Sequence, residues 1–210
     1  MTFIQRKEIR RMNSIFVIIA VVIAYLIGSI NNAILICGAK GIDVKKVGSG
    51  NAGATNTVRA LGKKYGIIVF LLDFLKGAIS CIIAKFVAGD NYVALAGIFA
   101  ILGHIFPLYH GFKGGKGVST TYGVLLVVNI WCALIVGALH LLLIKTTKVV
   151  SISTIVSFVI LPFSILIIDK GEGYINVIMT AIITVIVIYA HRENIKRLLK
   201  GEENSFKKEK

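Results

Sequence analysis

The sequence predicts an all-α integral membrane protein of about seven transmembrane helices, two of them short, with the loops that carry its chemistry on the cytoplasmic face. Three observations lead there. The 210 residues are 56% hydrophobic and only 16% charged, whereas about a quarter of a soluble domain is charged. The apolar residues gather into runs, and several reach the ~20 residues needed to cross hydrocarbon. Basic residues fall in the short loops between those runs, as the positive-inside rule requires. The formal charge of +14, from 24 Lys+Arg against 10 Asp+Glu, is therefore read as topology and anionic-lipid contact, with no nucleic acid as partner.

Taken in order, residues 1–13 are a basic N-terminal extension, 14–203 a single polytopic membrane domain, and 204–210 a charged C-terminal tail. Apolar segments fall at about 14–37, 66–88, 92–109, 118–144, 149–168 and 174–190. The first run is long and leads to Lys40, not to a small-residue cleavage site, so no signal peptide is expected. The piece from Gly38 to Tyr65 holds six basic residues and one acid, which places it inside. The turns Gly89-Asp90-Asn91 and Asp169–Gly173 are acidic and go outside.

Residues 118–144 need a decision, because a single helix there would reach about 40 Å against a core of about 30 Å. A hairpin turning near Asn129-Ile130-Trp131 keeps Lys145 and Lys148 inside and both acidic turns outside. The sequence thus predicts seven segments, the amino terminus outside and the carboxyl terminus inside. Arg6, Lys7, Arg10 and Arg11 break the rule, which raises the hypothesis that translation begins at Met12. Cys37, Cys81 and Cys132 have neither metal nor CxxC spacing and read as inert packing. Only the chain beyond Lys200 reads as disordered.

Three polar stretches interrupt this apolar chain. "GSGNAGATNTVRALG", Gly48 to Gly62, sets Ser49, Asn51, Thr55, Asn56 and Thr57 among glycines and closes on Arg59. Glycines let backbone N–H groups approach an anion, and arginine forks onto paired phosphate oxygens. "GHIFPLYHGFKGGKGVST", Gly103 to Thr120, offers the amides of Gly114, Gly115 and Gly117, the charges of Lys113 and Lys116, and a helix beginning at about Val118. It is not a Walker A loop, because His110 stands six before Lys116 and Gly117 follows it. "HRENIKRLLKGEE", from His191 to Glu203, puts His191 and Asn194 one turn apart. Ser151 follows a short basic loop. Asp73 and Lys76, one turn apart within a span, predict a mutual ion pair, because a lone charge there costs about 2.5–3.5 kcal/mol. With no carboxylate pair and no metal-ligand cluster, the pattern suits holding two anionic groups, and no cofactor or metal is expected.

The three stretches resemble the signature motifs of the bacterial acyl-phosphate:glycerol-3-phosphate acyltransferase family, over about Ile27 to Glu203. The resemblance implies a seven-helix enzyme of the bacterial cell membrane whose active site faces the cytoplasm. It would transfer an acyl group from acyl phosphate, not acyl-CoA or acyl carrier protein, to glycerol-3-phosphate. The products would be lysophosphatidic acid and phosphate, in the first step of phospholipid synthesis. The soluble enzyme that makes acyl phosphate becomes a candidate partner. The chain departs from the family in its basic extension and in Ser153-Thr154.

On this reading glycerol-3-phosphate sits on Ser49, Arg59, His191 and Asn194, with Asn51, Thr55, Asn56 and Ser151 as further donors. Lys113, Lys116 and the Gly114–Gly117 amides face the phosphates. His104 or His191 is the protein's candidate proton acceptor. The rival class, a transporter for a phosphorylated metabolite, would call for an inverted repeat and broken helices at the midplane. No repeat is visible.

Overall fold

The computed structural model of the protein describes residues 3–169 and 174–205, with side chains described from Asn13. The side chains of the basic cluster from Arg6 to Arg11, the turn from Lys170 to Gly173 and the residues from Phe206 therefore lie outside what is described. The described residues are helical with no strand. The helices are α1 (Phe3–Gly28), α2 (Asn32–Gly38), α3 (Ala54–Leu61), α4 (Lys63–Ala88) and α5 (Val93–Ile105), then α6 (Val118–Val128), α7 (Ile130–Thr147), α8 (Val150–Ile168), α9 (Tyr174–Ala190) and α10 (Arg192–Leu199). Among the described residues, five stretches are long and apolar enough to cross a membrane, and a sixth is if α9 and α10, bent by 58°, count as one span. Their outward faces carry bare apolar side chains such as Ile18, Ile67, Leu134, Leu141 and Val185, as the bilayer requires.

Small residues let the helices approach closely. A Cβ at Gly77 of α4 would lie 2.2 Å from the Thr120 carbonyl, and one at Gly123 of α6 would lie 1.9 Å from the Phe74 carbonyl. α4 and α6 therefore cross backbone to backbone, the small-residue packing expected where hydrocarbon supplies no hydrophobic drive. The apolar core gathers beside that crossing, around Leu125, Val136, Phe158, Leu161 and Ile183.

Two interruptions shape the bundle. The run 14–37, expected as one segment, is one apolar span from Asn13 to Gly38, and its helix is interrupted at Ser29–Asn31. Asn31 caps α2 by accepting from the Ile34 amide at 3.0 Å. Lys76 donates to the freed Ile30 carbonyl at 2.6 Å and pairs with Asp73 at 3.0 Å. Asn32 donates to the same Asp73 oxygen at 2.9 Å. The expected ion pair is present, and it also satisfies the backbone at the break.

The run 118–144 divides at Asn129, as the charge argument requires, and its second helix continues to Thr147. Asn129 caps α7 through the Cys132 amide at 2.9 Å and donates to Asp169 at 2.8 Å. At the opposite ends of α6 and α8, Lys116 donates to Asn194 and Ser151 donates to Glu203. α6 and α7 thus run in opposite directions between two faces. The eleven residues of α6 cover only about 16 Å, about half the thickness of the hydrocarbon core. One further gap in the backbone hydrogen bonding is internally repaired. Pro162 inside α8 cannot donate to the Phe158 carbonyl, and Thr184 of α9 donates to it instead at 2.8 Å.

Candidate active site

Four helix starts converge on one cleft of about 420 Å³. They are Gly53–Thr55 of α3, Gly117–Ser119 of α6, Val150–Ser151 of α8, and His191 and Asn194 of α10. None of the four has a side-chain cap. The first N–H groups of a helix have no intrahelical partner, and their dipole favours negative charge. Four such ends around one opening form a ready anion site.

The first motif is folded by Asn56, which is fully buried. Its Oδ1 accepts from the Ser49 amide at 3.0 Å, and its Nδ2 donates to the Val44 and Val47 carbonyls at 2.9 Å. Asn56 was expected as a ligand donor, but every group it owns is spent on the loop. It is the staple that presents Ser49 and Asn51 to the cleft. Gly48 permits this with φ +55, and a Cβ there would lie 2.5 Å from Asn56 Oδ1. Thr55 and the exposed Arg59 reach the cleft from α3.

The second motif needs a correction. Lys116 and Gly117 line the cleft; Lys113, Gly114 and Gly115 do not. The Gly114 amide donates to Ile105 and the Gly115 amide to His104, each at 3.1 Å, so the expected cradle of glycine amides is already satisfied internally. Those glycines serve close approach instead. A Cβ at Gly115 would lie 2.1 Å from His104 Nε2. The exposed Lys113 is a surface cation. His104 lines the cleft from beneath, its Nδ1 without a hydrogen bond and 3.7 Å from Asp73 Oδ1.

The third motif closes the site. His191 is buried, and its Nδ1 lies 2.8 Å from the Val187 carbonyl. A carbonyl only accepts, so the proton is on Nδ1 and the neutral ring keeps a free lone pair on Nε2. Asn194 accepts from Lys116 Nζ and donates to Glu203 Oε1 at 2.6 Å. Glu203 also accepts from Ser151 at 2.9 Å and, on Oε2, from Arg197 at 2.7 Å.

This carboxylate was missed as a site residue, and the expectation of disorder after Lys200 does not hold for it, since its side chain is only 7% exposed. The available signal was Gly201. At φ +72 it reverses the chain after α10, and the Glu202 amide returns to the Arg197 carbonyl at 2.8 Å. Burial works to raise the Glu203 carboxyl, and the hydrogen bonds from Asn194, Arg197 and Ser151 override it and hold it below the usual range. Burial lowers the Lys116 ammonium to about 8, with Glu203 opposing and Arg197 and Arg59 adding to the shift.

Beyond the charged end the cleft turns apolar. It passes Phe70 and Phe74 of α4, Tyr122 and Leu126 of α6, and Ala133, Leu134, Gly137 and Leu141 of α7. One space thus joins a cationic donor cluster to an apolar groove.

The model of the family described as glycerol-3-phosphate acyltransferase matches residues 18–201. The glycerol-3-phosphate acyltransferase of Aquifex aeolicus is 46% identical over 190 residues, covering 89% of this chain and 97% of that one. The one from Geobacter sulfurreducens is 41% identical over 191 residues, covering 90% and 97%. Among solved structures, the glycerol 3-phosphate form of PlsY, an integral membrane glycerol 3-phosphate acyltransferase, superposes with a TM-score of 0.84 at 41% identity, covering 90% of this chain and 95% of that one. Its lysophosphatidic acid form gives 0.82 over the same shares. This chain belongs to the glycerol-3-phosphate acyltransferase family and is an integral membrane protein.

Proposed function

We propose that the protein acylates the 1-hydroxyl of glycerol-3-phosphate with acyl phosphate, giving lysophosphatidic acid and inorganic phosphate at the cytoplasmic face of the bacterial plasma membrane. This would be the first step of phospholipid synthesis. The observation that carries the reading is the single cleft in which four uncapped helix starts and two cations meet an apolar groove. Both substrates are dianions and one drags a hydrocarbon tail, so the anion site must lie beside the hydrocarbon. An α6 too short to span the hydrocarbon alone supports that placement.

The chemistry follows from that arrangement. Arg59, Lys116 and the starts of α3 and α6 neutralise the two phosphates, while the tail lies between α6 and α7. Asn194, fixed by Glu203, holds the Lys116 ammonium in place. Ser49, His191 and Asn194 orient glycerol-3-phosphate. Its C1 oxygen attacks the acyl carbonyl carbon, the carbon–oxygen bond to phosphate breaks, and the bonding pair leaves with phosphate. The hydroxyl proton passes to the leaving phosphate or to the free Nε2 of His191. Positioning of two bound reactants supplies much of the rate, and donors aimed at the developing oxyanion supply the rest.

Purified protein supplied with glycerol-3-phosphate and acyl phosphate should form lysophosphatidic acid and release one phosphate for each ester made. Turnover with acyl-CoA or acyl carrier protein in preparations free of acyl phosphate would overturn the assignment of the donor.

A further inference from the structure

Most glycines within the membrane helices are explained by contact. Gly77, Gly97 and Gly123 each bring a neighbour so close that a Cβ would lie within 2.4 Å of it. Gly137, in the middle of α7, is different. A Cβ there would meet only Tyr122 Cε1, at an ordinary 3.8 Å, and its φ is not positive. Glycine inside a helix costs about 1 kcal/mol relative to alanine, and nothing in the packing requires it here. What its missing side chain leaves is space, and that space is the floor of the apolar groove.

The wall opposite is rigid. The Thr154 hydroxyl donates to the Val150 carbonyl at 2.9 Å, so its contact with His140 Nε2 at 3.3 Å must be received from an Nε2–H. His140 Nδ1 then accepts from the Tyr122 hydroxyl at 2.8 Å. Every proton in this chain is spent, and the groove meets no free donor. The Tyr122 ring is also held edge-on by Phe158, with centroids 5.9 Å apart at 82°. A side chain longer than a methyl at position 137 has no room to push this ring aside and must enter the groove.

We propose that Gly137 sets the acyl-chain length the enzyme accepts. Position 137 lies about 10 Å along α7 from Ile144, which lines the charged end, and Ala133 lies about 6 Å further on. A short tail ends before the Tyr122–Gly137 gap. A long tail passes through it toward Ala133 and Leu126. This inference rests on the proposed reading of the cleft as an acyl site.

The experiment compares wild type, Gly137→Leu and Gly137→Ala, purified as the full chain, with acyl phosphates from octanoyl to stearoyl. In Gly137→Leu the ratio of palmitoyl to octanoyl kcat/KM should fall roughly tenfold or more, the scale of discrimination a hydrophobic pocket gains from small changes of volume. The KM for glycerol-3-phosphate should not change. Gly137→Ala should keep the wild-type profile, because its methyl fits against Tyr122. Ala133→Leu, further along, should trim only the longest chains. It keeps the test alive should Gly137→Leu fail to fold, and an unchanged length profile there overturns the proposal.

An unchanged length profile in a folded Gly137→Leu, or an equal fall at every chain length, also overturns it. Thermal stabilisation of each variant by lysophosphatidic acids from lauroyl to stearoyl reads the groove whatever the acyl donor. If wild type turns over no acyl phosphate, yet long lysophosphatidic acids stabilise it and not Gly137→Leu, the donor assignment falls and the groove stands. If length makes no difference in either protein, the groove falls.

Discussion

Replacing Lys116 by alanine removes an ammonium that lines the cleft and donates to Asn194. A hydrogen bond to a charged group contributes about 1.5–3 kcal/mol, so kcat/KM should fall about ten- to a hundredfold, with insertion and fold intact. The same residue predicts a pH profile. Burial lowers its pKa to about 8, so at pH 7 about nine molecules in ten carry the charge. The useful form is the protonated one, so kcat/KM, which reports the free enzyme, is full below that pKa. It should decline as the pH rises through about 8. Lys116→Arg keeps a cation that does not titrate in this range and should lose the alkaline decline even if its ceiling is lower. The assay is phosphate release from acyl phosphate with glycerol-3-phosphate held well below its KM, from pH 6 to 9.5. A folded Lys116→Ala with wild-type kcat/KM would reduce the lysine to a topology anchor. A decline that survives in Lys116→Arg would assign the titration to another group.

Gly115→Ala should be as damaging as loss of Lys116 although it removes no charge, because its Cβ would lie 2.1 Å from His104 Nε2; wild-type turnover would refute this. Glu203→Ala frees Asn194, Ser151 and Arg197 together and should lower stability by about 2 kcal/mol and raise the KM for glycerol-3-phosphate, read by thermal unfolding and steady-state kinetics. Thr184→Val strands the Phe158 carbonyl that Pro162 leaves open, at about 1 kcal/mol, whereas Thr184→Ser should restore the melting temperature. Single cysteines placed at Lys64, Lys113, Lys148 and Lys200 should be shielded from an impermeant thiol reagent in intact cells, and one at Asn91 should react. Labelling at position 148 from outside would reverse the assigned orientation.

Hydrophobic runs and the sign of the loops between them were enough to divide the chain into helices, including the turn at Asn129, because spanning length and charge bias act on whole segments. The interruption at Ser29–Asn31 was hidden, since its partners Lys76 and Leu108 lie far away in the chain and the span as a whole is apolar. At the site, composition identified the motifs but not the direction of each group. Asn56 and Ser49 are equally polar in sequence and both line the cleft, yet the amide of the first is spent on the Val44 and Val47 carbonyls. Gly114 and Gly117 read alike as well, and only the fold shows that one amide is taken by Ile105. Glu203 looked like one more charge in a polar tail because its three donors come from α8 and α10, which only the folded chain brings together. His140 carried no motif at all, and Tyr122 and Thr154 make sense only as its partners.

The proline in α8 has a consequence for how the protein is made. A helix leaving the translocon for lipid must arrive with its backbone satisfied, since hydrocarbon offers no donor. α8 cannot do so alone, because the Phe158 carbonyl waits for a hydroxyl that belongs to α9. The end of α8 and the start of α9 are joined in the same way, through Asn176 and Asp169 at 3.3 Å. The two helices are therefore complete only as a hairpin. A chain stalled after Ile168 should linger at the translocon or be cleared by quality control, and one extended past Thr184 should partition into the bilayer.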